Sequence, residues 1–220
     1  MFNTLGTQWM FDTGIHPGIV TQSARFSDVS NKYLQRTDST TPTSTQKFTF
    51  SCWLKNSTLN SGDTIFGSDK GTAGGPGDAA WIQFTTNRRL NIYNITGASY
   101  NLQWTSDAMY RDVMSWYHFV IRVDTTQGSA DDRVRLYVNG TQQTGSYATT
   151  VGQNNNVAFN NAAGKFRIAG LGYADGYEGD FYLADIHHCD GYSYAPTEFG
   201  EDKNGVWIPK NVSVSYGNTG

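Results

Sequence analysis

The chain has 220 residues, 38% of them hydrophobic and 14% aromatic, with 24 glycines. That is enough apolar side chain to close a single two-layer core and enough glycine to turn the chain between many short strands. A net charge of -3, without clustered Lys or Arg, excludes the electrostatic footprint of a nucleic-acid or anionic-membrane partner, and no apolar run approaches the roughly 20 residues that span a bilayer.

Residues 1–20 hold Trp9, Met10 and Phe11 beside Gly14, Pro17 and Gly18 without a sustained strand or helix period, and they read as an N-terminal arm. The arm lacks the basic and apolar regions of a secretion signal. Trp9, Met10 and Phe11 serve either as a strap over the chain's own domain or as an anchor on a partner subunit.

From Thr21 to Gly220 the pattern is that of one domain of strands. Lys47 to Lys55 alternates, sending Phe48, Phe50, Cys52 and Leu54 to one face, which is core, and Thr49, Ser51, Trp53 and Lys55 to the other. Thr64–Gly67 is a short strand. Gly71–Gly77 is glycine-rich and leads into the strand Ala80–Phe84; with no Gly-Lys-Ser/Thr and no helix after it, it is a surface loop and not a phosphate cradle. Arg89–Tyr93 and Tyr100–Trp104 alternate, and Trp116–Asp124 is apolar enough for a sheet centre. After an acidic loop, Arg133–Val138 runs into Asn139-Gly140, a strong hairpin signal that predicts a return strand from Thr141 to Ser146. Lys165–Gly170 and Gly179–Cys189 complete the strands, and Ala195–Phe199 offers one helical turn. Many strands with turn chemistry between them predict an all-β fold, a two-sheet antiparallel β-sandwich or jelly roll over 21–220.

Candidate chemistry is sparse. A glycosidase needs two converging carboxylates; Glu178 and Asp180 share a strand face, Asp185 falls on the other, and Asp131-Asp132 is a diverging loop pair. His187 and His188 are adjacent on a strand and point to opposite faces, so they do not chelate one ion together. No Gly-x-Ser-x-Gly motif is present. The two cysteines, Cys52 and Cys189, read as reduced core residues. The expectation is therefore no enzyme and no cofactor. Calcium stays open, because Asp175, Asp180 and the amides of Gln153–Asn156 are the oxygen ligands it takes. A sugar would stack on exposed aromatics, and the ligand rim is expected at Trp81, Asn154, Tyr173, Asp175 and Tyr177, on the loops 71–77, 153–156 and 172–179.

The block Trp116–Gln127 followed by Asp132–Gly140 resembles the laminin-G/concanavalin-A-like domains of tailed-phage virion proteins. Phe48–Lys55, Tyr177–Asp185, Phe199–Glu201 and Asn204–Lys210 extend the likeness over roughly residues 20–217. The resemblance implies a jelly roll on a virion surface, as head decoration, fibre or tail component, assembled in the host cytoplasm. With the domain standing nearly alone beside a short aromatic arm, the reading is a virion structural protein docked on other capsid or tail proteins as a homo-oligomer; the alternatives are a receptor adhesin for a cell-surface glycan and a glycoside hydrolase of the same fold, and the charge leaves no nucleic acid or membrane partner expected. The resemblance lends no catalytic residues. One further short apolar strand is expected after the last residues of the sequence.

Overall fold

A computed structural model describes residues 18–28, 32–59, 62–70, 77–161, 164–172, 174 and 177–220. The chain opens with β1 (Ala24–Arg25), β2 (Leu34–Asp38), β3 (Lys47–Asn56), β4 (Thr64–Asp69) and β5 (Ala79–Phe84). It continues through β6 (Leu90–Thr96), β7 (Ser99–Ser106), β8 (Tyr117–Asp124), β9 (Val134–Val138) and β10 (Thr141–Gln142). It ends with β11 (Gly145–Thr149), β12 (Gly164–Ile168), β13 (Phe181–Asp190), β14 (Gly200–Lys203) and β15 (Val206–Pro209). These form a six-stranded sheet, β1-β13-β3-β8-β9-β10, a seven-stranded sheet, β11-β7-β6-β5-β4-β12-β2, and the small hairpin β14-β15. Every pairing is antiparallel. The expected sandwich is the observed one.

The core lies between the two large sheets because strand alternation aims one face of each inward. Phe48, Phe50, Cys52 and Leu54 of β3 are fully buried, as are Phe119 and Ile121 of β8. They meet Phe66, Ile82, Phe84, Ile92 and Leu102 from the opposite sheet in one continuous cluster. At roughly 1.5–3 kcal/mol for each fully buried large apolar side chain, this cluster is the dominant stabilising element. Cys52 and Cys189 are free and buried, as expected, and burial pushes the Cys189 thiol up to about 12.

The outer face of β3 is buried too, which alternation alone does not announce. Thr49 and Ser51 are fully covered and Trp53 is 4% exposed. The cover comes from both ends of the chain. Val20 packs on Trp53 and Ala184, with Trp116 and Trp207 beside them. Further along, Phe199, Tyr192, Tyr194, Val212 and Val214 pack on Val120 and Cys189. Thr49 Oγ1 donates to the Tyr192 carbonyl at 2.8 Å and accepts from the Tyr194 amide at 2.9 Å.

The return strand after Asn139-Gly140 is shorter than expected. The turn has the positive φ values such a hairpin needs, +48° and +77°, but β10 ends at Gln142 and the chain crosses to the other sheet, where Gly145–Thr149 pairs with β7. The stretch after the turn is polar and Tyr147 is its one aromatic side chain, so the chain moves to where that ring packs against the core. The acidic loop forms a single helical turn, Ala130–Arg133, closed by the Arg133 guanidinium on the carbonyls of Gln127, Gly128 and Val151. The turn after Ala195 is the 3-10 turn Pro196–Glu198. After β15 the described tail is a strap with no further strand: Asp190 donates its amide to the Tyr216 carbonyl at 2.8 Å, and its carboxylate accepts from the Thr219 amide at 3.2 Å.

Candidate functional site

A concavity of about 600 Å3 lies at one end of the sandwich between the Thr41–Gln46 loop, the Asn156–Asn161 segment and the ends of β4, β5 and β6. Its volume is in the range that takes a small organic ligand. Its walls are hydroxyls and amides, which hydrogen-bond in either direction. Among the described lining residues, Lys70 and Asp78 are the charged ones.

The walls are pinned by buried polar groups. Asp190, fully buried, accepts the amides of Thr43 at 2.6 Å and Ser44 at 3.2 Å, which fixes the outer wall. Asn160, also buried, donates to the Ser44 carbonyl at 2.9 Å and the Lys47 carbonyl at 2.7 Å. Thr45 Oγ1 donates to Asn156 Oδ1 at 2.7 Å, and the Val157 amide donates to the Thr45 carbonyl at 2.8 Å. On the inner side, Asp78 accepts from the Gly97 amide at 3.0 Å through its carboxylate and from Asn161 Nδ2 at 3.0 Å through its carbonyl. Sites whose walls are already paired lose little entropy when a ligand binds.

An aromatic face adjoins the groove. Asp78 and Thr96 line the groove, and their neighbours Ala79 and Ile95 belong to a cluster with Trp81, Leu171, Tyr93 and Ala174 on the outer side of the seven-stranded sheet. Trp81 and Tyr93 stack at 4.9 Å, and Tyr100 meets Trp81 edge-on at 6.1 Å. Gln83 and Asn91 pair across the ladder, as do Tyr93 and Gln103, so amides flank the rings. Asn91 Nδ2 donates to the Tyr93 hydroxyl. Burial raises the Tyr93 phenol, which stays protonated at neutral pH.

The sequence-predicted rim is thus brought together only in part. Trp81 reaches this face but as its floor, 4% exposed, because Tyr93, Tyr100 and Leu171 cover it; Tyr100, 48% exposed, is the ring a ligand would meet. Asn154 is exposed at the groove's outer side and takes part through its backbone: its amide donates to the Thr125 carbonyl at 2.8 Å and its carbonyl accepts from Gln46 Nε2 at 2.7 Å. Tyr177 is exposed but sits at the opposite end of β4, beside Gly62 and the Thr64 amide. Tyr173 and Asp175 lie outside the described residues, as do Trp9, Met10, Phe11 and the loop 71–76. Trp104 is a core residue, and Tyr192 and Tyr194 stack together beneath the C-terminal strap.

The acidic and histidine side chains are occupied. Asp180 forms a 2.5 Å ion pair with Arg25. Asp185 lies on a bulge of β13 with φ +49° and accepts from His187 Nε2 at 2.9 Å. His187 and His188 do face opposite ways, the first to Tyr216 and Phe199, the second into the rings of Phe48, Phe66 and Phe166. Among the described residues no three His, Cys, Asp or Glu side chains converge on one point.

Two arrangements carry no signal in the sequence. Arg88 and Asp63, 1% and 2% exposed, form a buried 2.5 Å ion pair, and Arg88 also donates to Asn56 Oδ1. Ser51, His118 and Trp207, on β3, β8 and β15, form a chain: Ser51 Oγ and His118 Nε2 are 2.9 Å apart, and Trp207 Nε1 donates to His118 Nδ1 at 2.8 Å. An indole N–H only donates, so Nδ1 is the acceptor and Nε2 carries the proton toward Ser51. That is the reverse of a nucleophile–base pair. Burial drives the His118 imidazole down to about 3, so it stays neutral.

A family model described as the concanavalin A-like lectin/glucanases superfamily, of laminin-G type, matches residues 28–198. No curated protein sequence matches the chain. Among solved structures, a heptameric SAP-like pentraxin from Limulus polyphemus is similar at 18% identity and TM-score 0.52, over 76% of this chain and 74% of that one. Mouse laminin α1 domains LG4-5 are similar at 14% identity and TM-score 0.52, over 90% of this chain and 47% of that one. A CBM40 of a Ruminococcus gnavus IT-sialidase is similar at 12% identity and TM-score 0.52, over 78% of this chain and 96% of that one. At these identities the likeness is one of fold. The match over most of the chain shows that it belongs to the concanavalin A-like lectin/glucanase superfamily, with a laminin-G-type domain.

Proposed function

We propose that the chain is a non-enzymatic structural protein of a virion, displayed on the particle surface through protein–protein contacts as a homo-oligomer, and that its displayed groove recognises a carbohydrate. The observation that carries the second part is the groove of hydroxyls and amides, about 600 Å3 in volume, running into the Tyr93 and Tyr100 face. Hydroxyl-rich ligands need dense bidirectional hydrogen bonding beside an aromatic surface. The lectin membership of the superfamily supports this reading. The virion placement rests on the resemblance of residues 116–140 and their flanks to tailed-phage proteins.

The non-enzymatic reading is supported by the orientation of the Ser51–His118 pair and by the lone carboxylate, Asp78, among the described groove residues, where glycoside hydrolysis uses two. Two experiments test the proposal. Glycan-array binding of the chain against a Tyr93→Ala/Tyr100→Ala variant should show a carbohydrate signal that falls about tenfold or more; equal signals would remove the carbohydrate reading. Cryo-electron microscopy of purified particles should locate the chain in many symmetric copies; its absence from particles would remove the virion reading.

A further inference from the structure

At the edge opposite β11, the two sheets are not flush. β2 is the last strand of the seven-stranded sheet, and Leu34 and Arg36 lie opposite Ile168 and Phe166 of β12. Phe166 belongs to the core and Ile168 packs on it, so these four side chains share the inward face. The facing sheet ends in β1, whose two residues pair only with Leu183 and Tyr182, and no strand among the described residues continues that edge past Ile186 and His188. Between the sheets lies a groove of about 440 Å3 with Phe66 and Phe166 as its floor and Leu34, Ile168, Ile186 and Tyr216 at its rim. The 216–220 tail runs along it and contributes Tyr216 and Gly220 to its lining. Leu34 is 58% exposed although it faces inward, so the groove stays open beside the tail.

The groove is polar at one end only. It passes from Leu34 to Arg36 along β2, from Ile168 to Phe166 along β12 and from Ile186 to His188 along β13. Arg36 and His188 meet at Phe166, the guanidinium 5.1 Å and the imidazole 5.4 Å from the centre of that ring. Arg36 is the cation there: His188 Nε2 lies 3.0 Å from Asn160 Oδ1, and burial holds its imidazole neutral. The guanidinium donates to the main-chain oxygens of Thr219 and Gly220, and no carboxylate side chain among the described residues pairs with it. Asp38, on the same strand, gives its carboxylate to the Thr40 amide at 2.8 Å. A guanidinium carries five N–H donors in a planar fork, so two main-chain oxygens leave it donors for an anion.

We propose that this groove binds a monocarboxylate with an aliphatic body, of the medium-chain fatty acid kind, with its carboxylate on Arg36 and its chain against Leu34, Ile168 and Ile186. Charge complementarity selects the head, and the aliphatic end of the lining selects the body. The groove's volume is within the range of small-ligand sites, which are apolar with a few polar groups that fix orientation. It shares no lining residue with the polar groove at Thr41–Gln46, so this site stands apart from the carbohydrate reading.

Calorimetric titration of the full chain with octanoate, hexanoate and 1-octanol is the test. Octanoate is expected to bind with an affinity that falls up to about fourfold for each methylene removed, and about tenfold or more when the alcohol replaces the carboxylate. Arg36→Gln should erase the preference for the acid while octanol binding, which reports an intact groove, stays unchanged. Leu34→Gln, at a position exposed enough to take a polar side chain, should weaken both ligands. Equal affinity for octanoate and octanol in the unsubstituted chain would overturn the proposal. So would an acid preference that survives Arg36→Gln, octanoate binding indifferent to Leu34→Gln, or no binding at millimolar octanoate.

Discussion

Arg88 sits on the turn after β5 in a left-handed conformation, φ +58°, and sends its guanidinium into the protein. A residue of that type on a polar turn reads as solvent-facing, and its partner Asp63 stands 25 positions earlier. The guanidinium lies 4.0 Å above the Phe84 ring and closes the end of the core. Burial pushes Asp63 up and Arg88 down, and the pairing opposes both shifts. Asp63→Ala should therefore cost about 3–5 kcal/mol in urea unfolding, because it strands a buried cation, whereas Asp63→Leu combined with Arg88→Met should cost far less. A single-variant cost below that of the pair would show that the charge is satisfied elsewhere.

Histidines give a second effect at this scale. Burial holds His118 down at about 3 and His188 at about 4 in the folded chain, against about 6.5 when unfolded. Below pH 6.5 the unfolded chain binds protons that the folded chain refuses, so stability falls as pH drops from about 6.5 toward 4 and is flat above. Each group contributes up to about 1.4 kcal/mol per pH unit in that window. Urea midpoints that agree at pH 5 and pH 7 would contradict the buried neutral imidazoles.

Among the elements, the tail and the Thr41–Gln46 loop share one anchor. The Asp190 carboxylate accepts the amides of Thr43, Ser44 and Thr219, and the Asn218 amide donates to Thr43 Oγ1 at 2.9 Å. The groove's outer wall is thus tied to the last residues of the sequence. Asp190→Ala leaves three amides without their acceptor; Thr219 is buried and its amide costs about 1–3 kcal/mol when left unpaired, whereas Thr43 is exposed and Ser44 half-buried, so water replaces part of what they lose. Hydrogen exchange should rise in 43–46 and 216–219 while β8 and β9 stay protected. Uniform exchange across the chain would mean that the anchor belongs to the global fold.

The inner face of β3 was readable because its period of two matches its burial. Its outer face was not, because Val20, Tyr194 and Trp207 come from distant sequence to cover it. The same reason hid the depth of Trp81: alternation gives its face, but Tyr93, Tyr100 and Leu171 decide its exposure. The groove was legible only as polar loops, since the pairing of Thr45 with Asn156 spans 111 positions. Asn139-Gly140 announced its turn correctly but not the sheet change at Gly145, where β7 approaches so closely that an added Cβ would lie 2.2 Å from Trp104.

For the whole molecule, the decisive question is whether a cation completes the site. The acidic groups at the Asn56 end are answered by guanidinium groups: Arg88 meets Asp63 and Arg25 meets Asp180, each at 2.5 Å. At the groove end Asp78 is already engaged by the Gly97 amide, and Lys70 is the nearby positive charge. Among the described residues these pairings occupy the carboxylates of Asp63 and Asp180, and a divalent ion is bound through several oxygens carrying net negative charge. The expectation of no cofactor, with calcium left open, has a thermal consequence. A native-state calcium site filled at a hundredfold over its Kd would add about 2.7 kcal/mol, or a rise in Tm of roughly 5–10 °C for a chain of this size. Melting in millimolar calcium and in EDTA should instead coincide, and glycan binding should survive EDTA. A calcium-dependent rise of several degrees would move the site to carboxylates and carbonyls outside these pairs and give the ligand an ion to bind through.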